Sequence, residues 1–164
     1  MRVTKYRTLK SKDTMTPQLV KEMCVNYSKY EKLNQPSFIV KCLNDLFYLD
    51  QLTEENVLLL AFDIRMKLIG IMTVSQGTAS STMFPVREIL MKSLLMNAVN
   101  IVLVHNHPSG DVEPSNDDLA STKRIAVASN IIGINVLDHI IIGDDKFYSF
   151  KESKNFFENI ENNY

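Results

Sequence analysis

The chain is 164 residues long, with 45% hydrophobic and 23% charged residues, a balance that suits one packed domain and excludes wholesale disorder or a collagen-like repeat. Eighteen lysines and arginines against nineteen aspartates and glutamates leave a net charge of −1, so overall charge gives no handle for a nucleic-acid backbone. Cys24 and Cys42 fall outside any CxxC spacing, which excludes a disulfide framework or a cysteine-rich zinc module. They read as small buried hydrophobes of a reduced, cytoplasmic protein. No apolar run reaches the ~18–20 residues of a membrane span, and the N-terminus lacks a signal-peptide core.

Arg2, Lys5, Arg7, Lys10 and Lys12 all precede the first acidic residue, Asp13, and read as a solvated N-terminal arm. Thr16 followed by Pro17 predicts a short helix over 16–28. Pro36 opens a second helix, in which Ile39, Cys42, Leu43 and Leu46 recur at helical spacing. Val57–Phe62 reads as a buried strand, Asp63–Lys67 as a turn, and Leu68–Val74 as the returning arm of a hairpin. A loop is expected over 76–84. From Pro85 the pattern is helical, with Ile89, Leu90, Leu94, Leu95 and Ala98 as its apolar stripe.

Ile101–Val104 is a short apolar strand. After a loop punctuated by Pro108, Gly110 and Pro114, Ser115 caps a helix that runs to about Ile132, where Gly133 ends it. Strands follow at Ile134–Ile142 and Lys146–Phe150, joined by a turn at Gly143-Asp144-Asp145, and a tail closes the chain. Residues 1–35 thus read as an N-terminal extension, 36–150 as the domain and 151–164 as the tail. Hairpins outside a helix–strand–helix centre predict an α/β fold of the α+β type, a mixed β-sheet with flanking helices. A dinucleotide-binding fold is excluded, because no GxGxxG follows a strand.

Two of the three histidines, His105 and His107, stand two residues apart at the end of an apolar strand. Residues i and i+2 of an extended backbone project to one face, so both imidazoles can aim at one point. Neutral imidazoles suit zinc, and a carboxylate often completes a three-ligand catalytic set. Asp118, which follows His107 after ten intervening residues and falls in the first turn of the next helix, is the candidate third ligand. Ser115-x-x-Asp118 also has capping-box spacing, so the same carboxylate has a structural use. His139, on a later strand, reads as a hydrogen-bonded sheet histidine that could still reach the site. A zinc deaminase needs H-x-E followed by P-C-x-x-C, which the chain lacks. Nor is His105-Asn106-His107 the ββ-α finger of an HNH nuclease.

His-x-His-x10-Asp with a serine three residues before the aspartate is similar to the JAMM (MPN+) metalloprotease motif. The longer string His-Asn-His-Pro-Ser-Gly…Pro-Ser-x-x-Asp resembles the RadC-like branch of bacterial JAB domains. The likeness extends to Phe62-Asp63, Gly77-Thr78, Arg87-Glu88-Ile89 and Val136-Leu137-Asp138-His139. It covers residues 36–150 well and the first 35 only loosely.

The resemblance implies a JAB/MPN-like, cytidine-deaminase-like three-layer fold. It also implies one zinc per chain on His105, His107 and Asp118, a bound water as nucleophile, and an upstream glutamate as general acid/base. The implied reaction is amide hydrolysis on a peptide or isopeptide. Glu55 aligns best with that glutamate; Glu54, whose side chain would face the other way, and Glu88 are the rivals. Ser115 is implied as a helper at the metal, beside its reading as a plain N-cap. Asn56 stands where many relatives carry histidine and is given no chemistry.

Longer relatives carry a helix-hairpin-helix DNA-binding region, for which 35 residues leave no room. Together with the balanced charge, this argues against intrinsic nucleic-acid binding. A DNA-repair-associated accessory role without peptidase turnover is the alternative function, and a metal-free scaffold is disfavoured by the intact ligand set.

Overall fold

A computed structural model of the chain describes residues 1–77, 84–153 and 156–157. Among them, seven strands form one mixed sheet: β1 (Arg2–Lys10), β2 (Pro17–Asn26), β3 (Glu55–Phe62), β4 (Leu68–Gly77), β5 (Asn100–Asn106), β6 (Asn135–Ile142) and β7 (Phe147–Ser149). Their order is β2-β1-β4-β3-β5-β6-β7, with β1/β4 and β5/β6 parallel and the other neighbours antiparallel. Three helices complete it: α1 (Pro36–Phe47), α2 (Val86–Leu95) and α3 (Asn116–Ile131). None is long and apolar enough to cross a membrane.

The sheet is covered on both faces. Ile39, Cys42 and Leu43 of α1 pack with Leu58, Leu60, Val102, Val104 and Ile140 on one side. On the other, Ile89 of α2 and Ile125 of α3 pack with Val57, Leu59, Ala61, Ile101 and Leu103. Strand segments buried on both faces in an apolar core favour apolar side chains in succession, which is why Val57–Phe62 of β3 and Ile101–Val104 of β5 read as unbroken apolar runs. The expected three layers and mixed sheet are therefore present, and Gly133 ends α3 with φ +74° as its pattern predicts.

The N-terminal region departs from expectation. Residues 17–26 are a strand, not a helix, and the basic arm is its partner: β1 and β2 pair antiparallel from Arg2↔Asn26 to Lys10↔Pro17. β1 also joins β4 in parallel at Lys5↔Ile71 and Tyr6↔Met72, and Val3 is fully buried. Pro17 opens an edge strand, where its missing N–H leaves no ladder bond unmade, so the proline signal for a helix start was equally a strand signal. Cys42 is buried as expected, but Cys24, on the edge strand β2, is exposed.

The stripe of α2 is also different. Leu94 is 59% exposed, and Ile89, Lys92, Ser93 and Met96 face inward instead. A bulge explains the buried lysine: β4 has an extra residue, Val74, opposite the Val57/Leu58 junction. Lys92 Nζ donates to the carbonyls of Thr73 (2.7 Å) and Val74 (3.3 Å) there. Of the loop expected over 76–84, Gln76 and Gly77 belong to β4, and 78–83 lie outside the described residues, as do 154–155 and 158–164 of the tail.

Asp138 of β6 is buried, accepting from Ser149 Oγ at 2.7 Å and from the Lys151 amide at 3.0 Å. Burial pushes its carboxyl up from 3.8 to about 6, although these donors pull the other way. Between those values the folded chain holds a proton that the unfolded chain has released, so stability falls as pH rises through that window. Asp138→Asn is expected to melt at the same temperature as the parent near the lower end of the window and higher above its upper end. Equal losses at both pH values would contradict this.

Candidate metal centre

The site forms where β5 ends beside the start of β3 and the first turn of α3. His105 is fully buried on the α2/α3 face of the sheet; His107 lies just past the strand, its amide donating to the Ile142 carbonyl at 2.8 Å. The two side chains share a face, as extended spacing requires. His105 Nε2 and His107 Nε2 are 2.9 Å apart.

Asp118 meets them from the helix. Its Oδ1 is 3.3 Å from His105 Nε2 and its Oδ2 is 3.6 Å from His107 Nε2. The capping-box reading also holds. Ser115 Oγ accepts from the Asp118 amide at 3.1 Å, and Oδ2 accepts from the Ser115 amide at 2.8 Å and from the Ser115 hydroxyl at 2.6 Å. One carboxylate thus serves both purposes, because the cap orients the ligand.

Hydrogen bonding leaves a lone pair at the centre. His107 Nδ1 is 2.7 Å from the Asp111 carbonyl, which can only accept, so Nδ1 carries the proton and Nε2 is free to coordinate. Burial pushes His105 well below the usual imidazole range, with His139 adding to the effect, and His105 stays neutral at pH 7. The Asp118 carboxylate raises His107, more than offsetting its partial burial. Burial opposes the charge of Asp118, yet His107, His105 and Ser115 outweigh it and hold the carboxyl well below the usual range.

The donor set fits a divalent cation. His105, His107 and Asp118 each offer one ligand atom, all within 4.8 Å of one another. Tetrahedral zinc with bonds of ~2.0–2.1 Å puts donors about 3.3 Å apart. The two Nε2 atoms here are 2.9 Å apart, and the Asp118 carboxylate lies 3.3 Å from one through Oδ1 and 3.6 Å from the other through Oδ2.

The surroundings pack closely on the candidate ligands. Phe84 makes T-shaped contacts with His105 and His139, with centroids 5.1 and 4.9 Å away. A Cβ at Gly143 would collide with the Gly110 carbonyl and lie 2.8 Å from Val112 Cγ1, so the loop carrying Asp111 packs directly on the β6–β7 turn. Asn106, between the two histidines, projects to the opposite face. Its Oδ1 accepts from the Asn56 amide at 2.8 Å and its Nδ2 donates to the Glu54 carbonyl at 3.1 Å, tying the end of β5 to the start of β3.

The register Val57↔His105 puts Glu55, two residues earlier, on the histidine face and across from His107. The Glu55 charge acts on His107, helping to raise its imidazole. Glu54 faces away and accepts from Gln76 Nε2 at 2.8 Å. Glu88 pairs with Arg87 Nη1 at 3.0 Å and acts on Lys92, not on the histidines. Asn56 bonds the Glu54 carbonyl through Nδ2 at 2.9 Å. His139 is a hydrogen-bonded sheet histidine, as read, and it also touches His105, with Nε2 2.8 Å from His105 Nδ1. Thr122, Phe84 and Phe150 around the site carry no sequence signal of their own. A groove of about 810 Å3 lined in part by Arg2, Tyr6, Arg65 and Met66 opens at the far end of the sheet, away from this chemistry.

The fold and the His-His-Asp cluster together define a JAB-type domain with a metal-binding geometry. The RadC-like JAB domain family matches residues 20–155, and the chain belongs to that family. It is 42% identical over 118 residues to a UPF0758 protein of Desulforamulus reducens, covering 69% of this chain and 52% of that one. Over 137 residues it is 35% identical to a UPF0758 protein of Clostridium perfringens, covering 79% and 60%. Over 132 residues it is 39% identical to one from Staphylococcus aureus, covering 78% and 55%. The chain therefore spans roughly half to three fifths of the length of these relatives.

Proposed function

We propose that the chain is a zinc-dependent hydrolase of the JAMM type that cleaves an amide bond in a peptide or isopeptide. The observation that carries this reading is the convergence of two Nε2 lone pairs and a carboxylate on one point, with Glu55 on the same face of the sheet. His105, His107 and Asp118 would hold the ion. A divalent ion there supplies Lewis acidity, lowering the pKa of water toward ~7 and polarising a carbonyl.

In this reading Glu55 takes the proton of the attacking water and passes it to the leaving amine nitrogen. His105 stays neutral and acts only as a ligand, because burial disfavours its charged form. Ser115 keeps the Asp118 carboxylate in place; its hydroxyl could turn to a developing oxyanion only by releasing Oδ2.

The test is metal content followed by turnover. Protein purified without added metal should carry about one zinc per chain, lost in His107→Ala, and should cleave members of a peptide and isopeptide library in a chelator-sensitive way. Absence of zinc and of uptake on adding it would sink the reading. Zinc without cleavage, accompanied by salt-sensitive DNA binding, would favour an accessory role instead.

A further inference from the structure

A neutral imidazole has one N–H and one lone pair, and the partner of one nitrogen decides which remains for a metal. For His107 that partner is the Asp111 carbonyl. For His105 it is another imidazole, His139, and both rings are fully buried. Neither the sequence motif nor the three-ligand cluster assigns His139 a part.

Two imidazoles can share a hydrogen bond in either direction, so something further out must set it. His139 Nδ1 is 2.6 Å from Thr122 Oγ1, and Thr122 Oγ1 is 2.6 Å from the backbone carbonyl of Asp118. Two oxygens that close need a proton between them, and a carbonyl has none to give. The Thr122 hydroxyl therefore donates to Asp118, and its lone pair accepts from His139 Nδ1–H. His139 Nε2 is then an acceptor for His105 Nδ1–H, and His105 Nε2 is left bare toward His107 and Asp118. Reversing the direction would strip the proton from the Thr122–Asp118 contact and place one on the nitrogen that must coordinate. Stacking on Phe150, with centroids 5.0 Å apart and planes 9° from parallel, keeps the His139 ring from turning.

We propose that His139 is a positioning residue which, oriented by Thr122, fixes His105 in the tautomer that leaves Nε2 free for the metal. The relay starts and ends on candidate ligands, since the carbonyl receiving the Thr122 proton belongs to Asp118. The proposal rests on the metal reading above.

Two measurements on the full chain test it. With only three histidines in the sequence, long-range proton–nitrogen NMR of metal-free, nitrogen-15-labelled protein reads each tautomer directly. His105 and His139 should both carry the proton on Nδ1, and Thr122→Val should scramble that preference while Thr122→Ser keeps it. Zinc affinity by chelator competition should fall ~10–100-fold in His139→Phe, the range seen for lost outer partners of a ligand. It should fall in Thr122→Val as well, and return toward the parent value in Thr122→Ser and partly in His139→Gln, whose amide oxygen can accept from Nδ1–H. Should His139→Phe fail to fold, the nearly isosteric Thr122→Val still decides. A proton on His105 Nε2 in the parent, or equal zinc affinity in parent, His139→Phe and Thr122→Val, overturns the proposal alone. No zinc uptake by the parent overturns the metal reading and this proposal with it.

Discussion

Glu55→Gln is expected to lower amide-bond turnover by ~10²–10⁴-fold, about 2.7–5.5 kcal/mol of transition-state stabilisation, without loss of bound metal. The amide is the same shape as the carboxyl but cannot accept the proton of water. Glu55 is the glutamate whose strand position faces His107, whereas Glu88 pairs with Arg87. Glu88→Gln is accordingly expected to keep parental rates. The measurement is steady-state cleavage beside metal analysis on the same samples. A fully active Glu55→Gln, or a collapse confined to Glu88→Gln, would move the acid/base assignment.

Asp118→Ala should have two separable effects. It removes a candidate ligand, so metal content should drop from about one per chain to none. It also removes one half of the capping box of α3, and losing a cap costs ~0.5–2 kcal/mol. Thermal unfolding in chelator isolates the second effect, since no metal contributes there. In excess zinc the parent should melt higher, through binding to the folded state alone, and Asp118→Ala should show no such rise. Ser115→Ala makes the contrast: a similar loss in chelator, but weakened metal binding in place of none, because the carboxylate remains, still held by the residue-115 amide, while the hydroxyl that also orients it is gone. Zinc stabilising Asp118→Ala as much as the parent would remove Asp118 from the ligand set.

The His-His-Asp cluster was readable because its spacing is structural periodicity. A two-residue step on a strand brings His105 and His107 together, and a capped helix start brings Asp118 back over the strand end. Central strands were readable for a related reason, as burial on both faces leaves only apolar residues at Val57–Phe62 and Ile101–Val104.

What escaped was structure whose pattern is mixed. β2 lies at the sheet edge with most of its side chains outside the core, so it lacks clean alternation, and Pro17 fits an edge strand as well as a helix start. The buried face of α3 is Asp118, Ser121, Thr122, Ile125 and Ser129, a stripe too polar to register as apolar periodicity. Lys92 faces inward because a bulge on another element needs a donor, a demand that no local window contains. Thr122 joins the site only once α3 lies on β6.

Asn106 has a consequence for how this centre can vary. Because its side chain laces the end of β5 to the start of β3, Glu55 faces the histidines through a ladder whose registers are discrete. A slip of one residue would turn the carboxylate to the opposite face, and a slip of two would carry it ~7 Å along the strand. No small drift connects these positions. The distance from Glu55 to the two histidines is therefore quantised, while Asp118, brought in by the loop from His107 to Ser115, can be adjusted by fractions of an ångström. Substitutions that retune the centre for another ion or substrate should gather in that loop, and those in the ladder should either leave it intact or abolish it.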